Sequence, residues 1–117
     1  MILPTDPDCI FCRIAAGKIP CRKVHEDDEL LVFHDIAPWA PVHFLIIPKE
    51  HIATLYDTGE PHAAMMGRMM ALAPRLAREQ GVVNGFRIVV NTGHDGGQEV
   101  QHLHMHVMGG PRPWLKG

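Results

Sequence analysis

No apolar run in this chain approaches the ~20 residues that would cross a bilayer; the longest, "ELLVF" and "HFLIIP", stop well short. A membrane partner is therefore not expected. There is little excess charge of either sign: 11 Lys and Arg against 13 Asp and Glu leave a formal net charge of -2, with no basic patch of the kind that grips a nucleic-acid backbone. Any phosphate must be met by local geometry instead. The opening "MILPTDPDC" lacks the basic start and apolar core of a secretory signal, which points to a cytoplasmic protein. Cysteine is scarce and odd in number, with Cys9, Cys12 and Cys21 the whole set, and the close pair "CIFC" does not make a disulfide framework. Reduced thiols or metal ligands are expected. Repeats, low-complexity tracts and linkers are also missing, so the 117 residues, 46% of them hydrophobic, read as one domain spanning 1–117 with a core over about 9–110 and a tail at 111–117.

Prolines and glycines divide this domain into segments. "CIFCRIAAGKIP" reads as a short helix with Ile10, Phe11 and Ile14 on an apolar stripe, stopped by Gly17 and Pro20. "RKVHEDD" and "ELLVFHDI" suggest a β-hairpin with Leu31 and Phe33 on one face, and "VHFLIIP" a buried strand. A long helix is predicted over "HAAMMGRMMALAPRLAREQG", opened by Pro61 and carrying Met65, Met66, Met69, Met70, Ala73 and Leu76 as its packing face. Pro74 inside it is expected to bend it. "GFRIVVNTG" and "QHLHMHVMGG" complete five strands. The order predicts an α+β domain: a five-stranded, mostly antiparallel sheet with a short N-terminal helix and one long helix.

Three of the chain's nine histidines stand at alternate positions in "HLHMH". On a strand, His102, His104 and His106 would share one face and Leu103, Met105 and Val107 the other. The apolar face suits the long helix, which leaves the histidine face open to a ligand. Rigid alternate positions lie ~6.6 Å apart, too far for adjacent rings to converge easily on one ion at ~2 Å from each. A better fit makes the middle imidazole a nucleophile toward phosphorus, its neighbours handling protons. The preceding "TGHDGGQEV" supports this, since Gly93, Gly96 and Gly97 let backbone N–H groups form an anion cradle.

At this point the chain resembles a known family. "HLHMHV" is similar to the H-x-H-x-H-x-x signature of the histidine triad (HIT) family, and "FHDIAPWAPVHFLIIPKEHI" with "VVNTGHDGGQEVQHLHMHVMGG" resembles its HINT branch, the histidine triad nucleotide-binding proteins. The resemblance runs from about Cys9 to Gly110. It implies a HIT-like fold, a homodimer with a sheet continuous across the interface, and hydrolysis of purine nucleoside phosphoramidates through a nucleotidyl-histidine intermediate.

Carried over by position, the resemblance makes His104 the nucleophile and sets His106 and His43 beside the phosphate as proton carriers, with His102 completing the catalytic set. Asp35 matches the acid that holds the ribose hydroxyls. Ile10, Phe11, Ile14, Phe33, His34 and Ile36 match the base pocket, while Asn91, Gly97, Glu99 and Val100 fall at positions beside the phosphate. Glu99 is a departure, because many relatives have a small hydroxyl residue there. A carboxylate next to an anion is repelled unless it is protonated, turned away or paired with a cation, so Glu99 is expected to favour an amine-bearing leaving group.

Cys9 and Cys12 alone make half a zinc site. The resemblance to bacterial-type members implies His51 and His102 as the other two ligands, in a structural Cys2His2 centre with no open position. Two rival functions remain: a dinucleoside polyphosphate hydrolase using the same histidine, and a non-catalytic, zinc-stabilised nucleotide-binding module. A uridylyltransferase fits less well, because His106 stands where those proteins have glutamine. Trp114, in the variable tail, is a candidate to reach the partner's site in a dimer.

Overall fold

The structure, a computed structural model, describes residues 4–115; Lys116 and Gly117, the end of the predicted tail, lie outside the described residues. In chain order it contains α1 (Ile10–Ala15), β1 (Lys23–Glu26), β2 (Leu30–His34), β3 (Val42–Pro48), two 3-10 turns (Leu55–Asp57 and Glu60–His62), α2 (Ala63–Glu79), β4 (Phe86–Val89) and β5 (Met105–Gly109). The sheet has five strands in the order β1-β2-β3-β5-β4. Every neighbouring pair is antiparallel.

The period-2 alternation of the central strands sorts their side chains onto two faces. Leu30 and Val32, Phe44 and Ile46, and Met105 and Val107 point to one side, where Met65, Met69, Ala73 and Leu76 of α2 cover them. Those four helix positions recur at the spacing of one helix face. Met66 is only half-buried and Met70 is 54% exposed, so the predicted methionine stripe is narrower than expected. Pro61 lies in the 3-10 turn that leads into α2, and the helix runs as one element through Pro74.

On the opposite face Leu31, Phe33, Leu45 and Ile47 pack against Cys9, Phe11 and Cys12. This contact decides how α1 survives at six residues, a length that is marginal in isolation. Its first turn is capped by Cys9, whose Sγ accepts the Cys12 N–H at 3.2 Å. Beyond its last turn, the N–H groups of Ala16, Gly17 and Lys18 donate to the carbonyls of Cys12, Ile14 and Arg13. Phe11 alone contributes a large buried side chain, worth about 1.5–3 kcal/mol. The buried residues of α1 are Phe11 and Cys12; Ile10, expected on the apolar stripe, is 47% exposed.

The histidine segment differs from its prediction in two ways. β5 begins at Met105, so only His106 lies in the strand, and His102 and His104 occupy an extended lead-in held by the Leu103 N–H donating to the Ile52 carbonyl. Their face is open only at a cleft that His104 and His106 line, since His102 is 0% and His104 6% exposed. The cause is α1, whose Phe11 sets its ring edge-on against both imidazoles, at 5.9 Å from His102 and 5.2 Å from His104. One strand alone carries no sign of what crosses its face.

Candidate active site and metal centre

A cleft of about 470 Å³ opens beside the lead-in to β5. One wall is apolar, from Ile10, Phe11 and Ile14 of α1 together with Phe33 of β2. His34, Asp35 and Ile36 continue it where β2 ends, and Asn91, Gly97, Glu99 and Val100 from the segment between β4 and β5 complete the lining. All eleven residues expected to hold a substrate therefore line one cavity, and His104 and His106 line it with them. Burial lowers the His34 pKa, with Arg22 adding to the effect.

The hydrogen bonds assign the proton on each ring. His104 Nδ1 lies 2.7 Å from the His102 carbonyl, an acceptor only, so Nδ1 carries the hydrogen and Nε2 keeps its lone pair. The Trp39 N–H donates to His43 Nδ1 at 3.0 Å, which forces the His43 hydrogen onto Nε2. That hydrogen is given to His106 Nδ1 at 2.9 Å, leaving His106 protonated on Nε2. Asp35 Oδ2 is 3.5 Å from His43 Nε2, and Asp35 Oδ1 accepts the Ala37 N–H. Burial holds the His106 pKa down to about 4, with His104 and His43 pushing the same way; burial lowers His43 as well, against the pull of Asp35. Both rings are neutral near pH 7.

His102 does not belong to this cleft. Its Nε2–H donates to the Pro48 carbonyl at 2.8 Å, and its Nδ1 faces Cys9 Sγ at 3.2 Å and Cys12 Sγ at 3.5 Å. The ring expected in the catalytic set therefore faces the thiols, and its residue meets the His104 ring through its backbone carbonyl. His51 Nδ1 lies 3.4 Å from Cys12 Sγ. The donor atoms of Cys9, Cys12, His51 and His102 all fall within 4.8 Å of one another. Bonds of ~2.3 Å to sulfur and ~2.0 Å to nitrogen at tetrahedral angles give S···N edges of ~3.5 Å, so the donor set fits zinc. His102 offers the correct lone pair because its other nitrogen is spent on a carbonyl, the usual outer-shell arrangement. Burial pushes the Cys12 thiol up to about 11, so a bound cation would have to displace its proton.

Asp35, His43 and His106 also bring donor atoms within 4.8 Å, but this trio suits a proton relay better than a metal. Ligation through His43 Nε2 requires a hydrogen on Nδ1, where the Trp39 N–H already points.

Residues 16–112 match the HIT domain family. The chain belongs to the HIT family. This HIT protein is 42% identical to the purine nucleoside phosphoramidase of Escherichia coli, over 88% of its own length and 87% of the relative's. Among solved structures it resembles a histidine triad protein from Clostridium difficile, with 43% identity, a TM-score of 0.89 and coverage of 93% and 96% of the two chains. A zinc-bound histidine triad family protein from Mycobacterium smegmatis is also similar, at 36% identity, a TM-score of 0.77 and coverage of 87% and 74%.

Two functional residues escaped the sequence reading. Trp39 lines the cleft and stacks on His106 at 6.2 Å with an interplanar angle of 13°; its one signal was an aromatic ring among the prolines of "APWAP". Gln98 is buried in the glycine loop, with Oε1 accepting the Gly93 N–H at 2.9 Å and Nε2 donating to the carbonyls of Ala53 at 2.7 Å and Val100 at 2.9 Å. The loop needs its glycines: a Cβ on Gly96 would sit 2.3 Å from the Thr92 carbonyl oxygen, and Gly97 has φ +77°.

Proposed function

We propose that this HIT protein is a purine nucleoside phosphoramidase, cleaving the P–N bond of a purine nucleoside 5'-phosphoramidate through a nucleotidyl-His104 intermediate. The observation that carries the reading is the His102 carbonyl on His104 Nδ1, which leaves an unprotonated nitrogen on a cleft-lining ring. The apolar wall takes the purine, Asp35 the ribose hydroxyls, and the Gly93–Gly97 loop with Asn91 the phosphate oxygens. Similarity to the Escherichia coli phosphoramidase supports the substrate class.

The bound phosphorus anion offsets the burial that keeps His106 neutral, so His106 takes up a second proton on Nδ1 in the complex, and the His43 Nε2–H turns from that nitrogen to Asp35 Oδ2, 3.5 Å away. His104 Nε2 attacks phosphorus, the P–N bond breaks, and His106 gives its extra proton to the leaving nitrogen, releasing a neutral amine. The phosphorylated His104 is a cation, and its Nδ1–H stays on the His102 carbonyl. Water then attacks phosphorus, its proton returns to His106, and the nucleoside monophosphate leaves with His104 neutral again.

Zinc bound by Cys9, Cys12, His51 and His102 would be structural, tying α1 to the nucleophile's segment. The functional unit is a homodimer formed through the edge strand β4, whose Phe86 is exposed; Val83 before the strand and Met70 on α2 are further exposed apolar residues. Among the described residues no helix is long and apolar enough to cross a membrane, and reduced cysteines at 9, 12 and 21 suit a cytoplasmic location. The test is adenosine 5'-phosphoramidate hydrolysis with mass-spectrometric trapping of adenylyl-His104. Wild type should turn over and label, while His104→Ala should bind AMP without turnover; full activity in that variant rejects the mechanism, and a wild type that binds AMP without turnover leaves the binding module.

A further inference from the structure

The relay His43–His106 depends on one residue outside the histidine motif. Trp39 grips both rings. Its backbone N–H donates to His43 Nδ1 at 3.0 Å, while its indole lies nearly parallel to the His106 ring, at 13°, and meets His43 at 63° from 6.1 Å. His43 and His106 are themselves tilted 50° apart with centroids at 5.1 Å, so each ring is fixed by the other and by Trp39. The backbone of half-buried Trp39 is held in turn by the Leu115 N–H donating to its carbonyl at 2.8 Å.

We propose that Trp39 is the positioning residue for leaving-group protonation: its N–H decides which nitrogen of His43 carries hydrogen, and its indole face fixes the plane of His106 and favours that ring as a cation. The proposal rests on the phosphoramidase reading. The titratable groups facing His106 are His43 from β3, Asp35 behind it and His104 from the lead-in to β5, two imidazoles and one carboxylate. An aromatic face next to a cation is attractive, most strongly for Trp. The His106 cation gives its proton to the amine and forms again when water attacks, so the indole acts on P–N cleavage where the leaving nitrogen needs that proton and leaves nucleotide binding alone.

A leaving group that departs without a proton should not need Trp39. The experiment measures kcat and KM of wild type, Trp39→Phe and Trp39→Leu with two adenosine phosphoramidates, one releasing an alkylamine and the other a nitroaniline. With the alkylamine substrate, kcat should fall on the order of tenfold in Trp39→Leu and less in Trp39→Phe. With the nitroaniline substrate it should stay within about twofold, and KM should move little for either. Equal losses on both substrates, or a change confined to KM, overturn the proposal. Imidazole 15N NMR of the free proteins needs no turnover: His43 should stay Nε2-protonated in all three, and His106 should lose its single ring environment in Trp39→Leu. An unchanged His106 signal overturns the clamp, whereas a wild type that shows the expected NMR pattern but no phosphoramidase activity fails the functional reading alone.

Discussion

His104 and His102 are joined by a 2.7 Å hydrogen bond from the ring of the first to the backbone carbonyl of the second, so the side chain of His102 is free to face the thiols while its main chain orients the His104 ring. The two duties are separable by mutation. His102→Ala keeps the carbonyl and should lose zinc and thermal stability, yet retain kcat to within about tenfold at a temperature where it is folded. His104→Ala should keep zinc and stability and lose kcat by about 10³ or more. Metal content, thermal melts and kcat on both variants check this; a His102→Ala protein as inactive as His104→Ala while folded contradicts it.

Zinc removal should act through α1. Protein purified without chelator is expected to contain about one zinc per chain, and stripping it should lower Tm by about 10 °C or more. Loss of AMP affinity should accompany the melt shift, because Ile10, Phe11 and Ile14 line the cleft from the same helix. Absence of stoichiometric zinc removes the centre from the account.

Acid should weaken the fold in a defined window. His106 is held at about 4 by burial, below the ~6.5 of an unfolded chain, so above pH 6.5 neither state binds its proton and the stabilisation is complete. As pH falls from 6.5 toward 4, the unfolded chain takes a proton that the folded one refuses, and stability drops. His106→Asn should flatten the Tm slope across pH 6.5 to 4; a slope identical to wild type argues against the burial effect.

The glycine loop should depend on Gln98. Gln98→Leu leaves the Gly93 N–H and the Ala53 carbonyl without their side-chain partner, while the Val100 carbonyl keeps the His102 N–H, at about 1–3 kcal/mol for each of the first two if water does not reach them. Lower stability together with a raised KM is expected. A variant with normal KM would show that the loop holds its shape without the amide.

Glu99 lines the cleft and is exposed. Glu99→Ser should reduce the preference for lysine-like over neutral amine leaving groups in kcat/KM. An unchanged ratio of the two substrates sinks this role.

Much of the fold was legible because its signals are local. Period-2 strands and the Met65–Leu76 face declare themselves, and "VHFLIIP" coincides with β3 to the residue. The cleft residues were legible through motif resemblance. What the sequence left out is contact between distant segments: that α1 would cross the histidine face, that the His102 ring would turn toward the thiols, and that Trp39 would settle on His106, 67 positions later in the chain. Gln98 was hidden for a related reason, since a polar residue beside two glycines looks like a solvated turn until its three partners are in place.

The single turn and a half of α1 restricts how this protein can diversify. Cys9 and Cys12 face the thiol–imidazole cluster while Ile10 and Ile14 border the cleft, so inserting or deleting one residue would rotate both sets away from their tasks by about 100°. New base preferences are thus open to side-chain replacement at positions 10 and 14 and closed to changes of length, which makes that short helix a fixed ruler between two sites.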